Sequence, residues 1–290
     1  MEIWPNFFIV GAHKAGTTLL YSYLQKIPEI YMSPMKEPRF FNSTKYKEKL
    51  PYSITKESEY LKLFRGVKQE KAIGESSPFY LFDPDSANLI HDSIPEAKAI
   101  IILRDPIERL FSAYLMHKSK GRLDQPFHEL VVKNIQNPDS IILDNFSLKN
   151  SLYSPSVSRF IKIFGENKVK VLIFEEFTED PETTVNEVLE FLGVKARAPK
   201  TEEKKINPYG VPRGKLARLI LGSKTLTRIG VKIIPQSLQW KVKDNLLYKQ
   251  EEKPEISKPD RVSLEEFYRS DVKELGIILK RKFPWLWVND

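Results

Sequence analysis

The chain contains no cysteine. Disulfide frameworks, thiolate metal sites, iron–sulfur clusters and cysteine nucleophiles are therefore excluded together. Histidine is scarce as well, with His13, His91, His117 and His128 scattered along the sequence, so no structural zinc site is expected. No stretch reaches the roughly 18 uninterrupted apolar residues of a membrane-spanning helix. The apolar run near the start, Phe7 to Val10, has four residues, too few for a signal peptide, and the sequence reads as cytosolic (cytoplasmic).

What is present has an ordinary globular balance. Hydrophobic residues at 41% and charged residues at 29% of 290 positions argue against long disorder, collagen and coiled coil. A chain of this length buries roughly three quarters of its unfolded surface and needs no staples. Its 46 basic and 38 acidic side chains leave a net charge of +8, a surface that attracts anions without identifying them. Nucleotide, acidic polysaccharide, nucleic acid and anionic membrane all fit that charge.

Strand-length apolar runs alternate with segments of helical period. Phe7 to Val10, Ala99 to Leu103 and Lys168 to Phe174 read as strands buried on both faces of a parallel sheet. Asp105-Pro106-Ile107-Glu108 supplies a helix N-cap, a proline at the first helical position and an acid three residues after the cap. Ile107, Leu110, Phe111, Tyr114 and Leu115 then form one helical face. Asp180-Pro181 repeats that start, and Gly193 supplies the stop. This alternation predicts an α/β fold, an open parallel β-sheet flanked by helices on both faces. We expect one domain over 1–290, with a basic loop and helical region at about 195–259 and a C-terminal helix at about 263–281, whose aromatic end, Phe283 to Trp287, packs back onto the domain.

Two segments carry chemistry. Gly11-Ala12-His13-Lys14-Ala15-Gly16-Thr17-Thr18 follows the first strand and enters a helix, offering backbone N–H groups and a positive dipole end to a phosphate. A nucleoside-triphosphatase loop wants lysine directly after the second glycine, where this chain has Thr17; its lysine, Lys14, comes two residues before Gly16. Arg104 stands at the carboxyl end of the second strand, where open α/β sheets place ligand groups. Ser112 lies two turns into the following helix, on the side of Glu108 and away from the apolar face. A guanidinium with a nearby hydroxyl suits a phosphate monoester.

Together these segments resemble the sulfotransferase superfamily, with its P-loop-like fold and its donor 3′-phosphoadenosine 5′-phosphosulfate (PAPS), whose spent form is adenosine 3′,5′-bisphosphate. Lys14-Ala15-Gly16-Thr17-Thr18 is similar to the family's 5′-phosphosulfate loop, and Arg104 with Ser112 to its 3′-phosphate motif. Lys36-Glu37-Pro38-Arg39-Phe40-Phe41, Gly74-Glu75-Ser76-Ser77-Pro78, Phe174-Glu175-Glu176 and Phe191-Leu192-Gly193 follow in the order of bacterial and heparan-sulfate-type members.

The resemblance implies that Lys14 stabilises the leaving phosphate while Ala15, Gly16, Thr17 and Thr18 hold the 5′ side. It implies Glu37 as the base that takes the acceptor proton, with Glu75 and His117, which comes after the helix carrying Ser112, as alternates. It also implies Tyr153 and Arg213 on the nucleotide side and Tyr209 near a base or the acceptor. No metal is required in this scheme. The implied acceptor is an alcohol on a glycan, small molecule, lipid or carrier-bound acyl chain, with no nucleic acid partner. A P-loop kinase or NTPase and a non-catalytic polyanion-binding module are the rival readings.

Overall fold

The computed structural model describes residues 2–49, 53–138, 146–199, 210–212, 214, 217, 248–250, 253–285 and 287. Five strands form one parallel sheet: β1 (Phe7–Gly11), β2 (Ile30–Met32), β3 (Ala72–Ser76), β4 (Lys98–Leu103) and β5 (Val169–Ile173). Their spatial order is β2-β3-β1-β4-β5. The chain leaves β1 for an edge, returns through β3, and passes to the other side of β1. That reversal opens a crevice at the carboxyl ends of β1, β3 and β4, the position where open α/β sheets hold ligands.

The sheet is covered by helices, as the strand–helix alternation predicts. They are α1 (Thr17–Leu24), α2 (Thr44–Lys49), α3 (Glu57–Leu61), α4 (Ser86–Ser93), α5 (Pro106–Ser119), α6 (Phe127–Gln136), α7 (Ser154–Phe164), α8 (Phe174–Glu179), α9 (Pro181–Leu192) and α10 (Lys258–Leu279). Asp105 caps α5 as expected, its carboxylate accepting from Ile107 N at 2.8 Å and Glu108 N at 3.2 Å. Asp180 does the same for α9, accepting from Thr183 N at 3.0 Å. α7 is capped from a distance: Asp271 of α10 accepts from the backbone N–H of Tyr153 at 2.7 Å and of Ser154 at 3.0 Å. α10 begins at Lys258, earlier than its apolar spacing suggests, because the Ser257 hydroxyl caps it by accepting from Asp260 N at 3.3 Å.

The aromatic C-terminal end folds back onto the sheet's carboxyl edge. Trp287 Nε1 donates to Asp105 Oδ2 at 3.0 Å, and Trp285 Nε1 donates to Glu175 Oε2 at 3.1 Å. The same two carboxylates border the ends of β4 and β5, so the tail buttresses the crevice. Within the 195–259 region most residues lie outside those described. A two-stranded antiparallel ribbon, β6 (Gly210–Pro212) with β7 (Tyr248–Gln250), is seen there. Among the described residues no helix is long and apolar enough to cross a membrane.

β1 is buried along its whole length, and so is β3. Phe7 pairs with Gly74 across that contact, and a Cβ on Gly74 would stand 2.1 Å from the Phe7 ring. Both sides are packed, so neither can retreat. Gly74→Ala should therefore destabilise the fold by about 1–3 kcal/mol, the usual cost of overpacking a core. Urea denaturation at constant m-value would read this, and a midpoint equal to wild type would contradict the packing described.

Candidate functional site

The loop from β1 to α1 is built around two left-handed residues. Lys14 has φ 72° and Gly16 has φ 90°. A side chain at Gly16 would meet the Phe174 ring at 2.7 Å, so glycine is required there on both conformational and steric grounds. Gly16 serves as the N-cap of α1, and no side chain caps that helix. The first-turn N–H groups therefore remain available to an external anion at the positive end of the helix dipole. Thr17 is buried in the turn while Thr18 is exposed beside it.

Arg104 lies next to this loop at the end of β4. Its Nη1 donates to the Lys14 carbonyl at 3.3 Å, and its guanidinium stacks on Phe174 with Cζ 4.6 Å from the ring centroid. Its Nε is buried with no hydrogen-bond partner, so this cation retains donor capacity inside the crevice. Ser112 is partly exposed on α5, two turns on from Arg104. Between them stands Glu108, whose carboxylate takes Lys253 Nζ at 2.9 Å and Arg261 Nη2 at 2.8 Å and lies 3.9 Å from Arg104. Burial works to raise the Glu108 pKa, but these cations outweigh it and hold the group below its ordinary value. Lys253 and Arg261 thus join the site from 145 and 153 residues away along the chain. Only the basic composition of that region hinted at them.

The two candidate carboxylates have opposite electrostatics. Glu37, at φ 65° in the segment after β2, is ion-paired with Lys36 Nζ at 3.0 Å and with Arg39. Burial alone would raise its pKa; the charges of Lys36 and Arg39 and the Arg39 hydrogen bond prevail and bring it to about 2. It is ionised at any working pH, and its side chain is still 23% exposed. Glu75, near the carboxyl end of the interior strand β3, is wholly buried, and that burial raises its pKa to about 7 against the hydrogen bonds of Tyr80, Ser77 and Tyr60.

The remaining expected residues fall as follows. His117 lies inside α5, not beyond it, because the helix runs on to Ser119. It is buried 12 residues past the helix cap, roughly 18 Å along the axis at about 1.5 Å per residue. That distance separates it from the strand ends. Tyr153 is wholly buried and donates its hydroxyl to the Arg104 carbonyl at 3.0 Å, so it supports Arg104 from behind. Tyr209 and Arg213 lie outside the described residues. His13 stands in the same loop as Lys14. Burial, with the neighbouring Lys14 charge, lowers its pKa well below the ordinary value against the pull of Glu37, and its ring lies 5.4 Å from that of Phe79. A neutral imidazole thus stands among Lys14, Glu37 and Phe79. Among the described residues no group of three metal-ligating side chains occurs.

Residues 5–208 match the sulfotransferase domain family. Mouse (Mus musculus) carbohydrate sulfotransferase 15 is 26% identical over 258 residues, covering 68% of this chain and 45% of its own length. Mouse bifunctional heparan sulfate N-deacetylase/N-sulfotransferase 4 is 26% identical over 288 residues, covering 96% of this chain and 30% of its own length. The chain thus spans less than half the length of these curated relatives. The crystal structure of a sulfotransferase from Alicyclobacillus acidocaldarius is similar over 98% of this chain and 99% of that one, with 30% identity and a TM-score of 0.73.

The buried Glu75 has a measurable signature. Its folded-state pKa of about 7 lies above the ordinary 4.5, so its contribution to stability is full below pH 4.5 and is lost as pH rises towards 7. Thermal or urea melts at pH 4 to 8 should show wild type losing about 3 kcal/mol relative to Glu75→Gln across that window. Glu37 acts in the opposite sense and only in acid, its contribution being lost as pH falls towards about 2. Parallel stability curves for wild type and Glu75→Gln between pH 4 and 8 would contradict the burial of an ionisable Glu75.

Proposed function

The chain belongs to the sulfotransferase domain family, and from that membership we propose that it transfers a sulfuryl group from 3′-phosphoadenosine 5′-phosphosulfate to an acceptor hydroxyl. The observation that carries the reading is the contact of two anion-binding groups at the strand ends. The uncapped N-terminus of α1 sits beside the Arg104 guanidinium, which hydrogen-bonds the Lys14 carbonyl at 3.3 Å. A nucleotide with phosphates at both 3′ and 5′ positions matches that pair. The buried, unsatisfied Arg104 Nε supports the fit, since a phosphate oxygen would meet its need for an acceptor.

The donor supplies a sulfuryl group activated on a phosphosulfate anhydride. The α1 N–H groups, with Gly16, Thr17 and Thr18, hold the 5′-phosphate, and Arg104 with Ser112 holds the 3′-phosphate. Lys14 places a compact cation where negative charge grows on the departing phosphate, an interaction that strengthens in the transition state. Glu37 is the partly exposed, ionised carboxylate that shares the neighbour His13 with Lys14, and it takes the acceptor's hydroxyl proton. Its low pKa makes it a weak base at rest, and an acceptor that draws Lys36 or Arg39 away from it would raise its basicity.

The names of the curated relatives support a glycan as the acceptor, with small-molecule, lipid and carrier-bound alcohols as the other classes to screen. The displaced lysine and the family membership both count against the kinase reading. The single-domain reading of 1–290 and the cytosolic placement belong to the same proposal and rest on the sequence.

The direct test is calorimetry with adenosine 3′,5′-bisphosphate and AMP. Wild type should prefer the bisphosphate, and Arg104→Ala should weaken that binding by about ten- to a hundredfold, the loss of a charge-assisted contact worth about 1.5–3 kcal/mol. AMP affinity should change little. Equal affinity of wild type for the two nucleotides would overturn the assignment.

A further inference from the structure

Glu75 occupies a place that needs explanation. A wholly buried carboxylate near the carboxyl end of an interior strand is costly unless its oxygens are satisfied. Three hydroxyls satisfy it: Tyr80 donates to Oε1 at 2.7 Å, Tyr60 to Oε1 at 3.3 Å, and Ser77 to Oε2 at 2.8 Å. This enclosure leaves no path by which an acceptor alcohol would reach it.

Two of these hydroxyls do a second thing. The Ser77 Oγ accepts from the Arg39 N–H at 3.1 Å, and the Tyr80 Oη accepts from the Phe41 N–H at 3.2 Å. A hydroxyl has one proton, and when that proton is directed to Glu75 the lone pairs are turned towards the remaining neighbours. The carboxylate therefore sets the direction of both hydroxyls, and the hydroxyls fix the backbone of 39–41.

That backbone carries the Glu37 turn. Glu37 and Arg39 are both non-glycine residues at positive φ, 65° and 58°, a conformation that persists only where the surroundings hold it. The holding points include the Ser76 carbonyl, which accepts from Glu37 N at 2.9 Å, the Ile54 N–H, which donates to the Pro38 carbonyl at 2.9 Å, and the two hydroxyls oriented by Glu75. Arg39 in turn ion-pairs with Glu37. Tyr60 completes the frame, its ring stacked on Phe40 with centroids 4.4 Å apart.

We infer that Glu75 is a positioning residue for Glu37, acting through the Ser77 and Tyr80 hydroxyls on the 37–41 turn. The inference rests on the reading of Glu37 as the base, but the positioning itself is observable without turnover. In Glu75→Gln the amide group offers a donor where a hydroxyl proton now points, so at least one of the two hydroxyls must turn and its hold on the Arg39 or Phe41 N–H weakens.

The experiment combines hydrogen exchange with kinetics on the full chain. Exchange at the Arg39 and Phe41 amides should quicken in Glu75→Gln while the β4 and α5 amides keep wild-type protection. Unchanged exchange at 39 and 41 would overturn the inference whatever the enzyme does. In turnover with the phosphosulfate donor, Glu75→Gln should lower kcat by about 10- to 100-fold, the scale of loss from a small misplacement of a reacting group. Affinity for adenosine 3′,5′-bisphosphate should stay within about twofold, because the nucleotide-binding groups lie on other elements. Glu37→Gln sets the reference, and adding Glu75→Gln to it should cost nothing more. A loss that multiplies on the Glu37→Gln background would show Glu75 acting independently and would sink the proposal. Should Glu75→Gln fold poorly, Ser77→Ala should reproduce the kcat loss and Ser77→Thr restore it; wild-type kcat in Ser77→Ala would count against the inference equally. If wild type shows no transfer at all, the functional reading fails while the exchange result still decides the positioning.

Discussion

The close approach of the Phe7 ring to Gly74 is what lets β1 lie flush between β3 and β4. From that position β1 ties down three segments of the crevice. Ser77 N donates to Ile9 O at 3.1 Å, Leu81 N to Val10 O at 2.8 Å, and Ala12 N to Ile102 O at 2.7 Å. The loop bearing Lys14, the segment after β3 and the strand end bearing Arg104 are thereby fixed to one another. A ligand site made of three loops has the precision of the sheet beneath it.

The crevice sorts its charges by burial. Glu37 stays ionised because Lys36 and Arg39 face it, and Glu108 because Lys253, Arg261 and Arg104 do. Glu75, enclosed by hydroxyls, is the carboxylate whose proton affinity lies near neutrality. Proton affinity alone would nominate Glu75 as the base; access nominates Glu37. We propose Glu37 on access, since a base must reach the proton it takes.

The sequence was legible where local signals are strong. β1 and β4 carry continuous apolar runs, and Asp105-Pro106 and Asp180-Pro181 mark helix starts that the structure keeps. Lys168 to Phe174 also holds a strand, but β5 lies at the sheet's edge with Lys170 in it, so only Leu172 and Ile173 are buried and Phe174 already begins α8. β2 escaped because it has three residues, and β3 because Gly74, Glu75 and Ser76 interrupt its apolar pattern. Gly74 is there for packing against Phe7 and Glu75 for the hydroxyl frame, which no periodicity announces. The expected capping role of Glu108 also gives way to tertiary pairing: the Asp105 N–H donates to Glu175 at 3.1 Å, and Glu108 turns to Lys253 and Arg261. At the site, Lys14, Arg104 and Ser112 could be named from local pattern, and Glu37 from the family resemblance. Asp271 beneath Tyr153, Trp287 on Asp105 and Arg261 on Glu108 lie 118, 182 and 153 residues from their partners, and such pairs appear only once the chain is folded.

We propose that two adjacent anion sites, at the ends of β1 and β4, take the two phosphates of one nucleotide. Phosphorus-31 NMR of adenosine 3′,5′-bisphosphate titrated with the protein tests it most directly, because the two phosphates give separate signals. Both signals should shift together and saturate at the same protein concentration. A shift of the 5′ signal alone, with the 3′ signal unmoved at saturation, would contradict the account.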